Sequence, residues 1–123
     1  MKYISTRNNS KEYNFEQVFI KGLADDGGLY VPKSLKKYSA DELGKFKNLN
    51  YIELSTEIIN LFSSDFISKE ELSPLINKSY STFREREVVK ISNVGEMKLL
   101  ELFHGPTLAF KDVAMQFIGN LYE

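Results

Sequence analysis

Cysteine is absent from this chain of 123 residues, and histidine occurs once, at His104. Without cysteine there are no disulfides and no thiolate metal sites, and a single imidazole cannot build a multi-histidine site. Only a carboxylate-rich site for a hard cation would remain, and Asp25-Asp26-Gly27-Gly28 lacks the acidic spacing of a calcium loop, so no metal is expected. Charge of one sign is also missing. Sixteen Lys and Arg stand against seventeen Asp and Glu, which leaves no field to draw nucleic acid, anionic lipid or a basic partner. No stretch approaches the ~20 apolar residues of a membrane span, and Met1 to Arg7 has no signal-peptide core. The expectation is a cytoplasmic protein with neither nucleic-acid nor membrane partners.

What is present suits one ordinary domain, since 42% hydrophobic and 13% aromatic residues can build a core. Lys2 to Ser5 reads as a short strand. Asn14 can cap a helix with Phe15, Val18 and Phe19 on one stripe and Gly22 as its stop. Asp25-Asp26-Gly27-Gly28 is a turn, and Leu29-Tyr30-Val31 a strand closed by Pro32. Ser39-Ala40-Asp41-Glu42 has the form of a capping box, with Gly44 predicting a very short helix. Asn50 to Phe62 carries the strongest helical periodicity, and Leu54, Ile58, Leu61 and Phe62 predict a core face. A second box, Ser68 to Glu71, opens a stretch in which Pro74 predicts a restart or a kink.

Further on, Val88 to Ile91 and Met97 to Phe103 are β-rich runs flanking Ser92-Asn93-Val94-Gly95, which predicts a hairpin. Phe110, Val113, Phe117 and Leu121 share a helical face. The last pattern runs to Tyr122 without a stop signal beyond it, so a piece of a longer chain is expected. The order of elements is a mixed α and β arrangement.

Lys111 is the sharpest candidate for chemistry. A lysine is nucleophilic only as the neutral amine, which apolar neighbours such as Leu108 and Phe110, or the positive end of a helix dipole, would favour. The alternative is a surface lysine on a first helical turn. His104 suits either a general base or a hydrogen-bonding structural residue at a strand end. Thr107 has the chemistry of an N-cap, and Asp112 could pair with Lys111 or sit in the first turn. Arg7, Arg84 and Arg86 could share a phosphate, but nothing in their spacing brings them together.

The stretch "ELFHGPTLAFKD", Glu101 to Asp112, resembles the lysine motif of the threonine synthase family, fold-type-II pyridoxal-phosphate enzymes related to the tryptophan synthase β subunit. "YISTRN", Tyr3 to Asn8, and "GLADDGGLYVP", Gly22 to Pro32, are similar to N-terminal signatures of the same family. Asn8 stands where many members have Gly, and Asn tolerates left-handed backbone angles.

The resemblance implies an α/β fold: a mixed N-terminal domain over 1–85, then the beginning of the cofactor-binding domain over 86–123. It implies a carbon–oxygen lyase acting on O-phospho-L-homoserine and giving L-threonine and phosphate. Lys111 would hold pyridoxal 5'-phosphate and move protons at the α and β carbons, with Phe110 lining the cofactor ring or fixing the lysine's approach and His104 and Asp112 as supports. The family's phosphate-cradling loop and its polar partner for the pyridine nitrogen have no counterpart in these residues, so the chain alone is expected to be inactive and free of cofactor. A related phospholyase and a non-catalytic interaction module are the rival expectations.

Overall fold

Alternation along Tyr3–Ser5 (β1) buries Tyr3 and Ser5 and leaves Ile4 half-buried, the two-residue period of a strand. In the computed structural model, which describes residues 1–123, β1 runs antiparallel to Tyr30–Pro32 (β2), Tyr3 facing Pro32 and Ser5 facing Tyr30. Between them lies Phe15–Lys21 (α1). Asn14 Oδ1 accepts from the Gln17 N–H at 2.8 Å, and Gln17 Oε1 accepts from the Asn14 N–H at 2.9 Å, so two otherwise unpaired donors are satisfied reciprocally. Gly22, at φ 72°, ends the helix where a side chain would be strained. Phe15 stacks on Phe19 with centroids 5.6 Å apart and also meets Tyr3 and Phe66. Tyr3 donates to the Phe62 carbonyl at 2.8 Å, and burial pushes its phenol up to about 12.

Ala40–Phe46 (α2) opens on the expected capping box, in which hydrogen bonds from the Ser39 backbone, with Lys36, hold the Glu42 carboxyl down at about 2. It is short, as expected, at seven residues, and runs two residues past Gly44. An interior Gly costs only about 1 kcal/mol relative to Ala, and the helix is also held by Tyr38, whose ring meets Phe46 edge-on at 5.1 Å. Tyr51–Ser63 (α3) starts from a third box, Asn50 with Glu53. Its expected core face, Leu54, Ile58, Leu61 and Phe62, is half-buried, and the buried positions are Thr56 and Ser63. Ser63 satisfies its hydroxyl on the Ile59 carbonyl at 3.1 Å.

Lys69–Tyr80 (α4) passes through Pro74 without a restart. The Pro removes one helical N–H, whereas Leu72 and Ile76, one turn apart on the same face, are both 0% exposed and hold the helix by burial. Lys90–Val94 (β3) and Met97–Glu101 (β4) form the expected hairpin, but its turn is Gly95-Glu96. Ser92, Asn93 and Val94 therefore belong to the strand. Gly95, at φ 61°, occupies the first turn position, where two-residue hairpins of the II′ type require glycine. The final helix is Asp112–Tyr122 (α5), which begins two residues later than expected because Phe110 and Lys111 are in a turn.

Five helices and two two-stranded sheets make the mixed α and β class that was expected. The chain divides into two compact units, residues 1–48 with 56–69 and residues 49–55 with 70–123. Tyr3, Val18 and Ala24 are buried in the first; Leu72, Ile76, Tyr80, Phe83, Val88 and Phe117 in the second. Within the second, Tyr80 donates to the Val113 carbonyl at 2.8 Å and Asn120 to the Ser79 hydroxyl at 3.1 Å, which fastens α5 to α4. The Tyr80 ring meets Tyr51 and Phe83 edge-on, and burial raises its phenol pKa. No helix is long and apolar enough to cross a membrane. Leu72→Ala or Ile76→Ala should each cost about 2–5 kcal/mol, the range for large-to-small changes at buried aliphatic sites, as measured by denaturant unfolding.

Candidate active site

β4 delivers the chain to the segment that carries the lysine. At its end Glu101 accepts from the Ser92 hydroxyl at 2.6 Å and from His104 Nε2 at 2.7 Å. Both side chains of the Glu101–His104 pair are largely buried, and the hydrogen bond from Ser92, then that from His104, holds the Glu101 carboxyl below its ordinary value. An ionised carboxylate only accepts, so Nε2 is the donor in this bond. The Phe103 ring lies 4.7 Å from the imidazole, and the Arg84 N–H donates to the His104 carbonyl at 2.9 Å. Of the two readings open for His104, the structure supports the hydrogen-bonding one.

From Gly105 onward the backbone winds through successive turns: Leu108 N–H to Gly105 O at 3.2 Å, Asp112 N–H to Ala109 O at 3.0 Å, Val113 N–H to Phe110 O at 3.4 Å. At their centre is the Asp112 side chain, only 3% exposed. Its Oδ2 accepts from the Thr107 N–H and its Oδ1 from the Thr107 hydroxyl, both at 2.8 Å. Burial raises the carboxyl's pKa, but the hydrogen bonds from Thr107, with help from Gln116 and the Ala109 backbone, outweigh it and leave it below its ordinary value. Thr107 is thus a donor to Asp112 and not the N-cap of α5. The N-cap is Lys111, in helical geometry at φ −63° and with no side-chain cap bond.

Gly105 has no room for a side chain. A Cβ there would stand 2.4 Å from Asp112 Cβ and 2.5 Å from its Oδ2. Leu108, next along, takes φ 63°, a left-handed conformation costing about 1–2 kcal/mol for a non-glycine residue. Lys111 is at the head of α5, as expected, but is exposed, and its expected apolar neighbours Leu108 and Phe110 are 52% and 65% exposed. Desolvation by those two residues is therefore not supplied within this chain. Asp112 does not pair with the lysine, and no carboxylate lies within ion-pair distance of the amine.

A second constellation lies in the first unit. Asp26 Oδ1 accepts from the Ser5 hydroxyl at 2.8 Å and from the Gly28 N–H at 2.9 Å, and Thr6 Oγ1 accepts from the Leu29 N–H at 3.0 Å. Arg7 donates to the Asp26 carbonyl at 3.2 Å. Hydrogen bonds from Ser5, then Gly28, hold the Asp26 carboxyl down. A Cβ on Gly28 would stand 2.3 Å from Ser5 Oγ. Two separated sequence signatures are thus one interlocked turn, and Asp26 is spent on its own loop. Arg7 belongs to this unit, Arg84 and Arg86 to the other.

Comparison with known proteins decides the family. A family model described as "Threonine synthase N terminus" matches residues 2–80. This chain belongs to the threonine synthase family. It is 42% identical to threonine synthase of Schizosaccharomyces pombe over 100% of this chain and 24% of that protein. Among solved structures it is similar to the PLP-bound threonine synthase of Brucella melitensis, with TM-score 0.92 and 35% identity over 98% of this chain and 26% of that one. The yeast threonine synthase gives TM-score 0.91 and 41% identity over 98% and 25%. The chain therefore spans about a quarter of the length of the threonine synthases it matches.

Two partnerships were not legible in the sequence. That of Ser92 with Glu101 was hidden by the misplaced hairpin turn, and that of Thr107 with Asp112 by its separation; a Gly-x-Thr followed by an acid five residues after the Thr was the available signal. Gly105→Ala should overpack this loop at a cost of about 1–3 kcal/mol, read as a lower denaturation midpoint. Asp112 and Glu101 both have depressed folded pKa values, so their stabilisation is complete above the unfolded carboxyl value of ~4 and lost as pH falls through the folded value. Acid unfolding should become shallower in Asp112→Asn and in Glu101→Gln.

Proposed function

We propose that the protein carrying this chain is a cytoplasmic, pyridoxal-phosphate-dependent lyase that converts O-phospho-L-homoserine and water to L-threonine and phosphate. Lys111 is the residue that holds the cofactor, and Phe110 stands beside it. The observation that carries this reading is the Lys111 amine, exposed and without an ion-pair partner on a helix head closed from behind by Asp112. The donor chemistry fits, since the cofactor aldehyde takes a primary amine and here one is free to react.

Pyridoxal phosphate, when bound, supplies the electron sink that makes protons beside an amino group removable. Lys111 provides the point of attachment and, once released, a base and acid for protons at the α and β carbons. Phe110, the preceding residue, is 65% exposed and supplies an apolar ring on which an aromatic cofactor could rest. Residues 108–111 are exposed and do not shield the amine from water by themselves. His104 and Glu101 hold the strand end from which the segment departs, and have no assigned proton transfer. We place the N-terminal domain over 1–85 and the start of the cofactor domain over 86–123, a boundary supported by the family match ending at residue 80.

The test uses the full-length protein, reduced with borohydride in the presence of pyridoxal phosphate and mapped by peptide. The label is expected on Lys111; label on any other residue would refute the site. Phosphate and threonine should appear together from O-phospho-L-homoserine, and phosphate without threonine would identify a phospholyase instead.

A further inference from the structure

The Lys111 side chain is exposed and makes no ion pair, and its residue caps α5 without a side-chain bond. Nothing on the side chain itself determines where the amine stands. Its position is inherited from the backbone, and the backbone there is shaped by the next residue. Asp112 uses both carboxylate oxygens on Thr107, five positions earlier, and fills the space that a Cβ on Gly105 would need. The segment it closes contains Leu108 at positive φ, a conformation that persists only when the surroundings over-determine it. Removing the carboxylate frees Thr107 and lets Leu108 relax, so the turn carrying Lys111 loses its fixed geometry.

We propose that Asp112 is the positioning residue of Lys111, acting through hydrogen-bond geometry and not through its charge. This inference rests on Lys111 being the cofactor-binding amine. The distinction between geometry and charge is testable because Asn is nearly isosteric with Asp. In Asp112→Asn the amide oxygen can accept from the Thr107 N–H while the amide NH2 donates to the Thr107 hydroxyl, whose own proton rotates away. The clamp then survives without the charge. Asp112→Ala abolishes it.

In the full-length protein, the fraction of Lys111 trapped by borohydride at a fixed, limiting concentration of pyridoxal phosphate is measured for both variants. Hydrogen exchange of the 105–112 segment is followed in the cofactor-free protein. Asp112→Ala is expected to lower trapping by about tenfold or more, the scale on which misplacement of a reacting group by a fraction of an ångström is felt, and to expose the Thr107 amide to exchange. Asp112→Asn should stay within about threefold of the parent and keep that amide protected. If Asp112→Ala does not fold, Thr107→Val, which breaks the hydroxyl bond and keeps the Asp112 charge, is expected to lower trapping, and Thr107→Ser to restore it. Equal losses in Asp112→Asn and Asp112→Ala would overturn the proposal in favour of a charge effect, and unchanged trapping in Asp112→Ala would overturn it outright. Parent protein trapped elsewhere than Lys111 refutes the cofactor site itself, whereas the exchange data still judge the clamp.

Discussion

Burying a carboxylate is unfavourable unless its lone pairs find donors, and Asp112 meets that requirement within a single short loop. Thr107 supplies a backbone N–H and a hydroxyl, Gly105 supplies the space, and the turns between them set the first turn of α5. Because α5 is also tied to α4 through Tyr80 and Asn120, the position of the loop is referred to the most deeply buried helix of its unit. The lysine therefore stands on a frame that begins with Leu72 and Ile76, although neither residue is near it in sequence.

The other end of the loop is held with equal economy. Glu101 receives Ser92 across the hairpin and His104 from beyond the strand, and the His104 carbonyl receives the Arg84 N–H. One carboxylate closes the entry and another closes the exit. The residues between them, 106–111, are all exposed, so the segment is rigid at its attachments and open along its length. That combination suits a binding element, whose reactive group must be accessible yet fixed.

Much of this could be read from residue pattern alone where the determinants are local. The cap at Asn14, the box at Ser39, the stop at Gly22 and the hairpin after Val88 each depend on residues within a few positions of one another, and all are present. Patterns say less where distant contacts outweigh local preference: Pro74 lies inside α4 without a restart, and the apolar stripe of α3 is only half-buried. At the candidate site Lys111 was legible through its motif. Its exposure was not, because flanking Leu108 and Phe110 in sequence says nothing about which way a turn directs them. The Asp112–Thr107 closure escaped notice because each partner had a sufficient local explanation.

The interlock of Ser5, Asp26 and Gly28 has a consequence for how such a sequence can change over time. Gly28 leaves no volume for a side chain against Ser5, and Asp26 has both of those residues as donors. A larger residue at any one position displaces the other two. Drift in this turn is therefore concerted: Ser5, Asp26 and Gly28 should be inherited as a set, while Asp25, whose carboxylate reaches out to Lys21 on the surface, is free to vary alone.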